Sequence, residues 1–358
     1  MQCRITADSF VSLFATDDIE ELQQKFMERG EEFCEAAHQR YVKCKLGIAG
    51  GIAVLDRSLD SISLNIDNAN MARKQVKKDA TVHVFVYTDE LRKEQQKQME
   101  IVSHMAEALE KREFKVFLQP KMDMFTDKVV GAEALVRWFK EDGTMVPPGD
   151  FIQIFEENGF VTHLDFEMMR QVLEMQQKRL QEGKPIVKIS VNFSRKHQES
   201  QSYLTRLDDL MAQYDVPAKS LEIEITESVF MQDLAPLIES ICQLKQRGFS
   251  VSIDDFGAGY SSLNVLSRVK ADIIKLDRQF LLDVERGRDN YTSDFLQIMV
   301  DMIKKLGFHV LAEGVETEEQ VKMLKHAGCR LAQGYYYARP MPIADFLEFL
   351  ENHSREEV

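Results

Sequence analysis

Val129-Val130-Gly131-Ala132-Glu133-Ala134-Leu135-Val136-Arg137-Trp138 is the stretch on which the fold turns. It reads as a mostly buried β-strand carrying one carboxylate inside an apolar run, with an arginine four residues on. A glutamate between two alanines is costly to bury unless positive charge meets it. Two partners satisfy that need: a structural Glu133–Arg137 pair near the strand end, or a metal ion. The choice between them depends on whether other carboxylates converge on the same place.

Outward from this strand, apolar β-like segments recur at 115–119, 187–193, 221–226, 249–254, 272–276, 308–312 and 331–336, most of them followed by a helix-like segment. With 129–137 this makes eight strands over roughly 240 residues, the spacing of a (β/α)8 barrel. A doubly wound open sheet is the alternative, but no GxGxxG-type phosphate turn follows the first strand.

Upstream, residues 88–112 form a charged amphipathic pattern with Leu91, Met99, Val102, Met105 and Leu109 on one stripe, a connecting helix in which a domain boundary is expected. Residues 1–87 alternate differently. A strand–turn–strand is expected at Arg4–Val11, helices at Ile19–His38 and Ile62–Lys78, and strands at Leu46–Val54 and Val82–Tyr87. So few strands make a thin α+β region. The expected division is 1–87, a connecting helix at 88–104, and a barrel at 105–350.

The polar residues of the barrel strands fall where such a fold places chemistry, at the C-terminal strand ends. Ser190-Val191-Asn192 supplies an amide. Leu221-Glu222-Ile223-Glu224-Ile225-Thr226 alternates with period two, so Glu222 and Glu224 share a side, and Glu227 follows. Ser252-Ile253-Asp254-Asp255-Phe256-Gly257 ends in paired aspartates before a small-residue loop. Lys275 sits in the apolar strand Ile273–Leu276, Glu313 precedes Gly314, and Gln333 precedes Gly334.

Each has a plain structural alternative: the aspartates as a helix N-cap, Lys275 as neutraliser of one Asp, Glu313 as a helix cap. Together they put Glu133, Asn192, Glu224, Asp254, Asp255, Lys275, Glu313 and Gln333 around one barrel mouth. Carboxylates so concentrated repel by several kcal/mol without added cations. Oxygen-only ligands, with no paired histidine motif, select Mg2+ or Mn2+ over Zn2+. Two such ions ~3.5–4 Å apart would suit metal-assisted phosphodiester hydrolysis, with Lys275 holding the water or offsetting developing charge.

These motifs resemble the EAL-domain phosphodiesterases, which hydrolyse cyclic di-GMP to linear pGpG. The matching pieces run in family order over about residues 105–350: Gln119-Pro120, Glu133-Ala134-Leu135 with Arg137, Ser190-Val191-Asn192, Glu224-Ile225-Thr226-Glu227, Asp254 to Ser262, Lys275, Ala312 to Glu316, and Gln333-Gly334 with Pro340. The resemblance implies a modified barrel whose first strand is antiparallel to the rest. It implies that Glu133, Asn192, Glu224 and Asp254 ligate metal, that Asp255 ligates metal and activates water, and that Lys275 positions that water. Glu313 would lie in the metal shell, with Gln333 near water or substrate. Glu227 would anchor the Asp255–Ser262 loop, which couples dimerisation to the site, and Gln119, Leu135 and Arg137 would face the dinucleotide. A homodimer is therefore expected.

The N-terminal region resembles the C-terminal half of a GGDEF diguanylate cyclase domain. Thr6-Ala7-Asp8-Ser9-Phe10 stands in place of Gly-Gly-Asp-Glu-Phe, with Ser9 replacing the catalytic acid and both glycines lost. A degenerate remnant without cyclase activity is the expectation.

The bulk properties agree. An apolar share of 44% with 29% charged residues is that of a globular chain. A formal charge of −14 excludes a non-specific binder of polymeric nucleic acid but not a small anion held through divalent metal. Cys3, Cys34, Cys44, Cys242 and Cys329 are odd in number and lack CxxC spacing, as expected of reduced thiols in a cytoplasm. No signal pattern or membrane-spanning run is present. Besides an active phosphodiesterase, a non-catalytic cyclic di-GMP receptor and a dimerising regulatory module remain as alternatives.

Overall fold

A computed structural model describes residues 2–6, 8–41, 46–55, 62–75, 81–199, 202–226, 234–257, 266, 268–285 and 293–354. The chain divides into two compact units, Met1–Val102 and Ser103–Val358.

In the first unit β1 (Gln2–Thr6) and β2 (Ser9–Ser12) form an antiparallel hairpin, while β3 (Ile48–Ile52) and β4 (Val82–Val86) pair in parallel. The helix α1 (Ile19–Arg40) starts at Asp18, whose side chain accepts from the Glu21 amide at 2.9 Å. Glu20 and Glu21 at its start, and His38 and Arg40 at its end, complement the helix dipole. Parallel neighbours require a crossover, which α2 (Ile62–Arg73) supplies between β3 and β4. The helix expected to reach Lys78 ends at Arg73, and residues 76–80 lie outside the described residues. The unit buries few apolar side chains among its described residues, namely Cys34, Ala72, Val82, Val84 and Ile101.

The helix α3 (Asp89–Glu110) leads into the second unit, where β5 (Phe114–Asp123) and β6 (Lys128–Phe139) open the barrel. The short β7 (Met145–Val146) pairs antiparallel with the end of β6. Then follow β8 (Lys188–Asn192), β9 (Leu221–Thr226), β10 (Ser250–Phe256), β11 (Ile273–Leu276), β12 (His309–Ala312), β13 (Leu331–Ala332) and β14 (Met341–Pro342). The order β5-β13-β12-β11-β10-β9-β8-β6 closes through pairing of β5 with β6. Eight strands thus form a ring. All neighbours from β6 to β13 run parallel, and β5 alone is antiparallel to both its neighbours. The open sheet is excluded. The reversed strand follows from the β5–β6 hairpin, since two strands joined by a short turn can only run antiparallel.

Period two then sorts the side chains. Leu118, Ala132, Ala134, Ile189, Val191, Ile223, Ile225, Val251, Ile253, Ile274, Val310 and Ala312 are buried and form the apolar layer. The other parity, Gln119, Lys121, Glu133, Ser190, Glu222, Glu224, Ser252, Asp254 and Lys275, is also buried but polar. Ion pairs from β5 to β9 and from β11 to β6, β9 and β10 place this second set inside the ring. The interior is therefore charged rather than filled by layers of branched apolar residues.

Beside β5 and β6, an aromatic cluster of Phe114, Trp138, Phe151 and Phe155 joins the helix α4 (Pro148–Asn158) to the barrel. These rings are 1% exposed or less. Burial of each is worth roughly 1.5–3 kcal/mol, and Trp138 Nε1 donates to Glu113 Oε2 at 2.8 Å, satisfying its one polar atom. Among the described residues no helix is long and apolar enough to cross a membrane.

Candidate active site

Lys275 of β11 is the centre of the site. It is fully buried, and its Nζ lies 2.7 Å from Glu313 Oε1, 2.9 Å from Glu224 Oε2, 3.1 Å from Asp254 Oδ1 and 3.5 Å from Glu133 Oε2. The structural alternative of one neutralised aspartate gives way to four carboxylates on one ammonium. Each comes from a different strand end, so only ring closure could bring them together.

Adjacent strand residues normally face opposite sides, yet Asp254 and Asp255 both reach this mouth. The register between β10 and β11 shifts between Ile253 and Phe256, where three residues on β10 span two on β11. Asp255 occupies the left-handed region at φ 58° within this bulge. Aspartate tolerates that conformation better than most residues. The result is two carboxylate triads sharing Asp254. Glu133, Glu224 and Asp254 each place an oxygen within 4.8 Å of the others, and so do Asp254, Asp255 and Glu313.

The strand turns complete the mouth. Gly314, at φ 63°, turns the chain directly after Glu313, where an added Cβ would meet the Arg278 side chain at 2.5 Å. At Gly334 a Cβ would stand 2.1 Å from the Val315 carbonyl oxygen, so only glycine lets the segment after β13 lie against the one after β12.

Glu133 does not pair with Arg137. Its Oε2 accepts from Gln333 Nε2 at 2.6 Å and its Oε1 from Asn192 Nδ2 at 3.2 Å. Gln333 Nε2 also donates to Gln119 Oε1 at 3.0 Å, and Gln119 Nε2 to the Ala338 carbonyl at 3.1 Å. Gln119 is therefore buried beneath Gln333. Arg137 is half-buried, donates to the Val136 carbonyl at 2.8 Å and lies 5.7 Å from the Phe117 ring centroid. Burial lowers its pKa, and no carboxylate forms an ion pair with it among the described residues. Leu135 is half-buried beside it, opposite Phe117. Glu227 and the loop from Ala258 to Ser262 lie outside the described residues. The aspartates of β10 are not a helix cap, and the helix Glu318–His326 is capped by Thr317 rather than by Glu313.

The sequence reading missed Lys121. It lies on β5 two residues beyond Gln119, so period two carries it inward. Its Nζ lies 2.9 Å from both Glu222 Oε1 and Glu224 Oε1, and it is 4% exposed. The alternation Gln119–Lys121 facing Glu222–Glu224 was the available signal.

The electrostatics follow from this geometry. Burial pushes the Glu133 carboxyl up to about 7, reinforced by the negative charges of Glu224 and Asp254 and opposed by Lys275. Burial likewise holds Glu313 well above the usual carboxylate range, against the pull of Lys275. Glu224 is driven down to about 2, because Lys121 and Lys275 outweigh its burial. Burial would lower both lysines, but their surrounding carboxylates raise each above its ordinary value. Six carboxylates, counting Glu222, thus face two ammonium groups, and like charges so close cannot all ionise unaided.

This donor set fits divalent cations. It is all oxygen, arranged in two triads with a shared member, and Gln333 Oε1 is buried without a partner among the described residues. Such ligands suit hard ions of the Mg2+ or Mn2+ kind.

Residues 103–340 match the model of the EAL domain family. The chain is 32% identical over 69% of its length to the cyclic di-GMP phosphodiesterase RocR of Pseudomonas aeruginosa, covering 62% of that protein. It is 30% identical over 80% of its length to the cyclic di-GMP phosphodiesterase NbdA of the same organism, covering 36% of it. An uncharacterized Synechocystis protein matches over 97% of the chain, at 27% identity and half of its own length. Against these last two relatives the chain spans 36% and 50% of the partner's length. Among solved structures, the PaMucR phosphodiesterase in complex with c-di-GMP superposes with a TM-score of 0.64 at 29% identity, covering 69% of this chain and 99% of that one. An EAL domain protein of Listeria monocytogenes does so at 0.58 and 31%, covering 70% and 98%.

Proposed function

Because the chain belongs to the EAL domain family, we propose that it is a cyclic di-GMP phosphodiesterase that opens its substrate to linear pGpG with the aid of two Mg2+ or Mn2+ ions. The observation that carries this reading is the pair of carboxylate triads joined at Asp254 and centred on Lys275. Names of relatives and the bound ligand of the PaMucR structure support the substrate.

Glu133, Asn192, Glu224, Asp254, Asp255 and Glu313 would hold the ions, which when bound polarise the phosphodiester and lower the pKa of water. The chain's own residues supply the rest. Asp255 is the exposed carboxylate of the set and takes the proton of the attacking water as the bond from phosphorus to the ribose 3′ oxygen breaks. Lys275 keeps its charge through four carboxylate contacts and offsets negative charge growing at phosphorus. Gln333 and Asn192 fix both oxygens of Glu133. Arg137 offers a guanidinium for the non-scissile phosphate, beside Leu135, and Gln119 acts through Gln333 rather than on substrate.

Chromatography after incubation with cyclic di-GMP and Mg2+ tests this. We expect pGpG, a loss of roughly a thousandfold or more in Glu133→Gln, and no product with a chelator. Tight calorimetric binding without product would instead select the receptor reading, which the complete carboxylate set disfavours. We also infer that residues 1–87 are a partial, degenerate GGDEF-like remnant without cyclase activity, since Ser9 stands in place of the acid. Production of cyclic di-GMP from GTP would overturn that. The homodimer is carried by the family resemblance alone, and sedimentation tests it.

A further inference from the structure

At the opposite, N-terminal mouth of the barrel lies a second cavity, of about 750 Å³, within the range of small-molecule sites of roughly 300–1,000 Å³. Its inner end is closed by Lys121 and Glu222, the layer beneath Glu224, so it is separate from the carboxylate mouth. Its walls carry two kinds of chemistry. Phe125, Phe308, Leu311 and Leu331 are apolar, whereas Lys188, Lys304 and Arg330 bring positive charge.

The balance of that charge is the telling point. Lys121 is fully engaged by Glu222 and Glu224, and Arg330 Nε donates to Asp123 Oδ2 at 2.6 Å. Lys188 Nζ donates to the Ser250 hydroxyl at 2.7 Å and Lys304 Nζ to the Gly328 carbonyl, both neutral acceptors. The cavity's two carboxylates, Asp123 and Glu222, are paired with Arg330 and Lys121, so among the described residues two ammonium groups face it without a carboxylate partner, on a chain whose formal charge is −14. Arg330 is largely exposed, and among the described residues only its Nε is engaged, which leaves its two terminal nitrogens for bidentate contact with an oxyanion.

We propose that this cavity binds an organic phosphate, its phosphoryl oxygens on Lys188, Lys304 and Arg330 and its ring or apolar body against Phe125, Phe308 and Leu331. An inorganic anion alone would leave the apolar wall unused, and an uncharged ring would leave the two ammonium groups unanswered. The site is independent of turnover at the carboxylate mouth.

Guanosine monophosphate is a suitable probe, titrated calorimetrically into the full chain with a chelator present, so that no ion recruits phosphate to the carboxylate mouth. Binding is expected. It should weaken at least tenfold in Lys304→Glu, which alters an exposed side chain, and in Lys188→Met, while Glu133→Gln leaves it unchanged. Guanosine, lacking the phosphate, should bind at least tenfold more weakly. Absence of binding at millimolar probe, guanosine binding as tightly as the nucleotide, or equal weakening by Glu133→Gln would each overturn the assignment. Circular dichroism of both lysine variants confirms that a loss reflects the site and not unfolding.

Discussion

Lys275→Met is the most searching perturbation of the site, because it removes the one cation that four carboxylates share. At an effective dielectric of about 20, a unit pair near 3 Å attracts by roughly 5 kcal/mol, so the gross attraction of contacts between 2.7 and 3.5 Å is large. Most of it offsets the cost of burying the charges. The net penalty for breaking a buried pair by deleting one partner is about 3–5 kcal/mol. For a unit of this size each kcal/mol shifts Tm by roughly 2–4 °C, so the metal-free variant should melt about 6–20 °C lower.

The pH dependence carries a sign. Carboxyls such as Glu133, raised from 4.5 to about 7, bind more protons in the folded than in the unfolded state, so stability falls as pH rises between those values. Without Lys275 they hold protons to still higher pH. The penalty should therefore be larger near pH 8 than near pH 5.5, roughly by the free energy of one or two such shifts. Thermal unfolding by circular dichroism with a chelator measures it. A variant that melts with the wild type near pH 8, or a decrement independent of pH, would refute the idea that Lys275 is the cation on which these four carboxylates depend.

The same linkage makes the chelated wild-type protein lose up to about 3 kcal/mol from Glu133 between pH 4.5 and 7. Millimolar Mg2+ should return it, and calorimetric melts with and without the ion read the difference. At Asp255, held at φ 58°, Asp255→Asn should keep the fold's stability because Asn tolerates this conformation, whereas Asp255→Ala should cost about 1 kcal/mol more by urea denaturation. Both should lose turnover. Equal stability of the two would show that the bulge does not constrain the residue.

Much of the site was legible because barrel strands announce themselves twice, as apolar runs separated by helix-length segments and as polar residues at one end. Glu133, Glu224, Asp254, Lys275 and Glu313 could be placed at one mouth on that basis alone. The family resemblance added the reversed first strand and the substrate. Lys121 escaped because a lysine in a hairpin strand normally reads as solvent-facing, and its partners Glu222 and Glu224 are a hundred residues away along the chain. The Glu133–Arg137 pair was a fair local reading that failed for a nonlocal reason. Gln333 and Asn192 arrive on other strands and take both carboxylate oxygens first.

The sequence by itself determined which side chains could enter the barrel, because period two and burial act within a single strand and need no knowledge of its neighbours. It also determined the chemistry on offer, oxygen ligands with buried lysines, since residue type sets charge and hardness. Ring closure and register decided everything that depends on distance: that four carboxylates meet on Lys275, and that Lys121 seals the floor beneath Glu224. The bulge at Asp255, likewise, is what turns two consecutive aspartates to one side. Those are properties of strands paired in space, and electrostatic energy falls with separation in space, not along the chain.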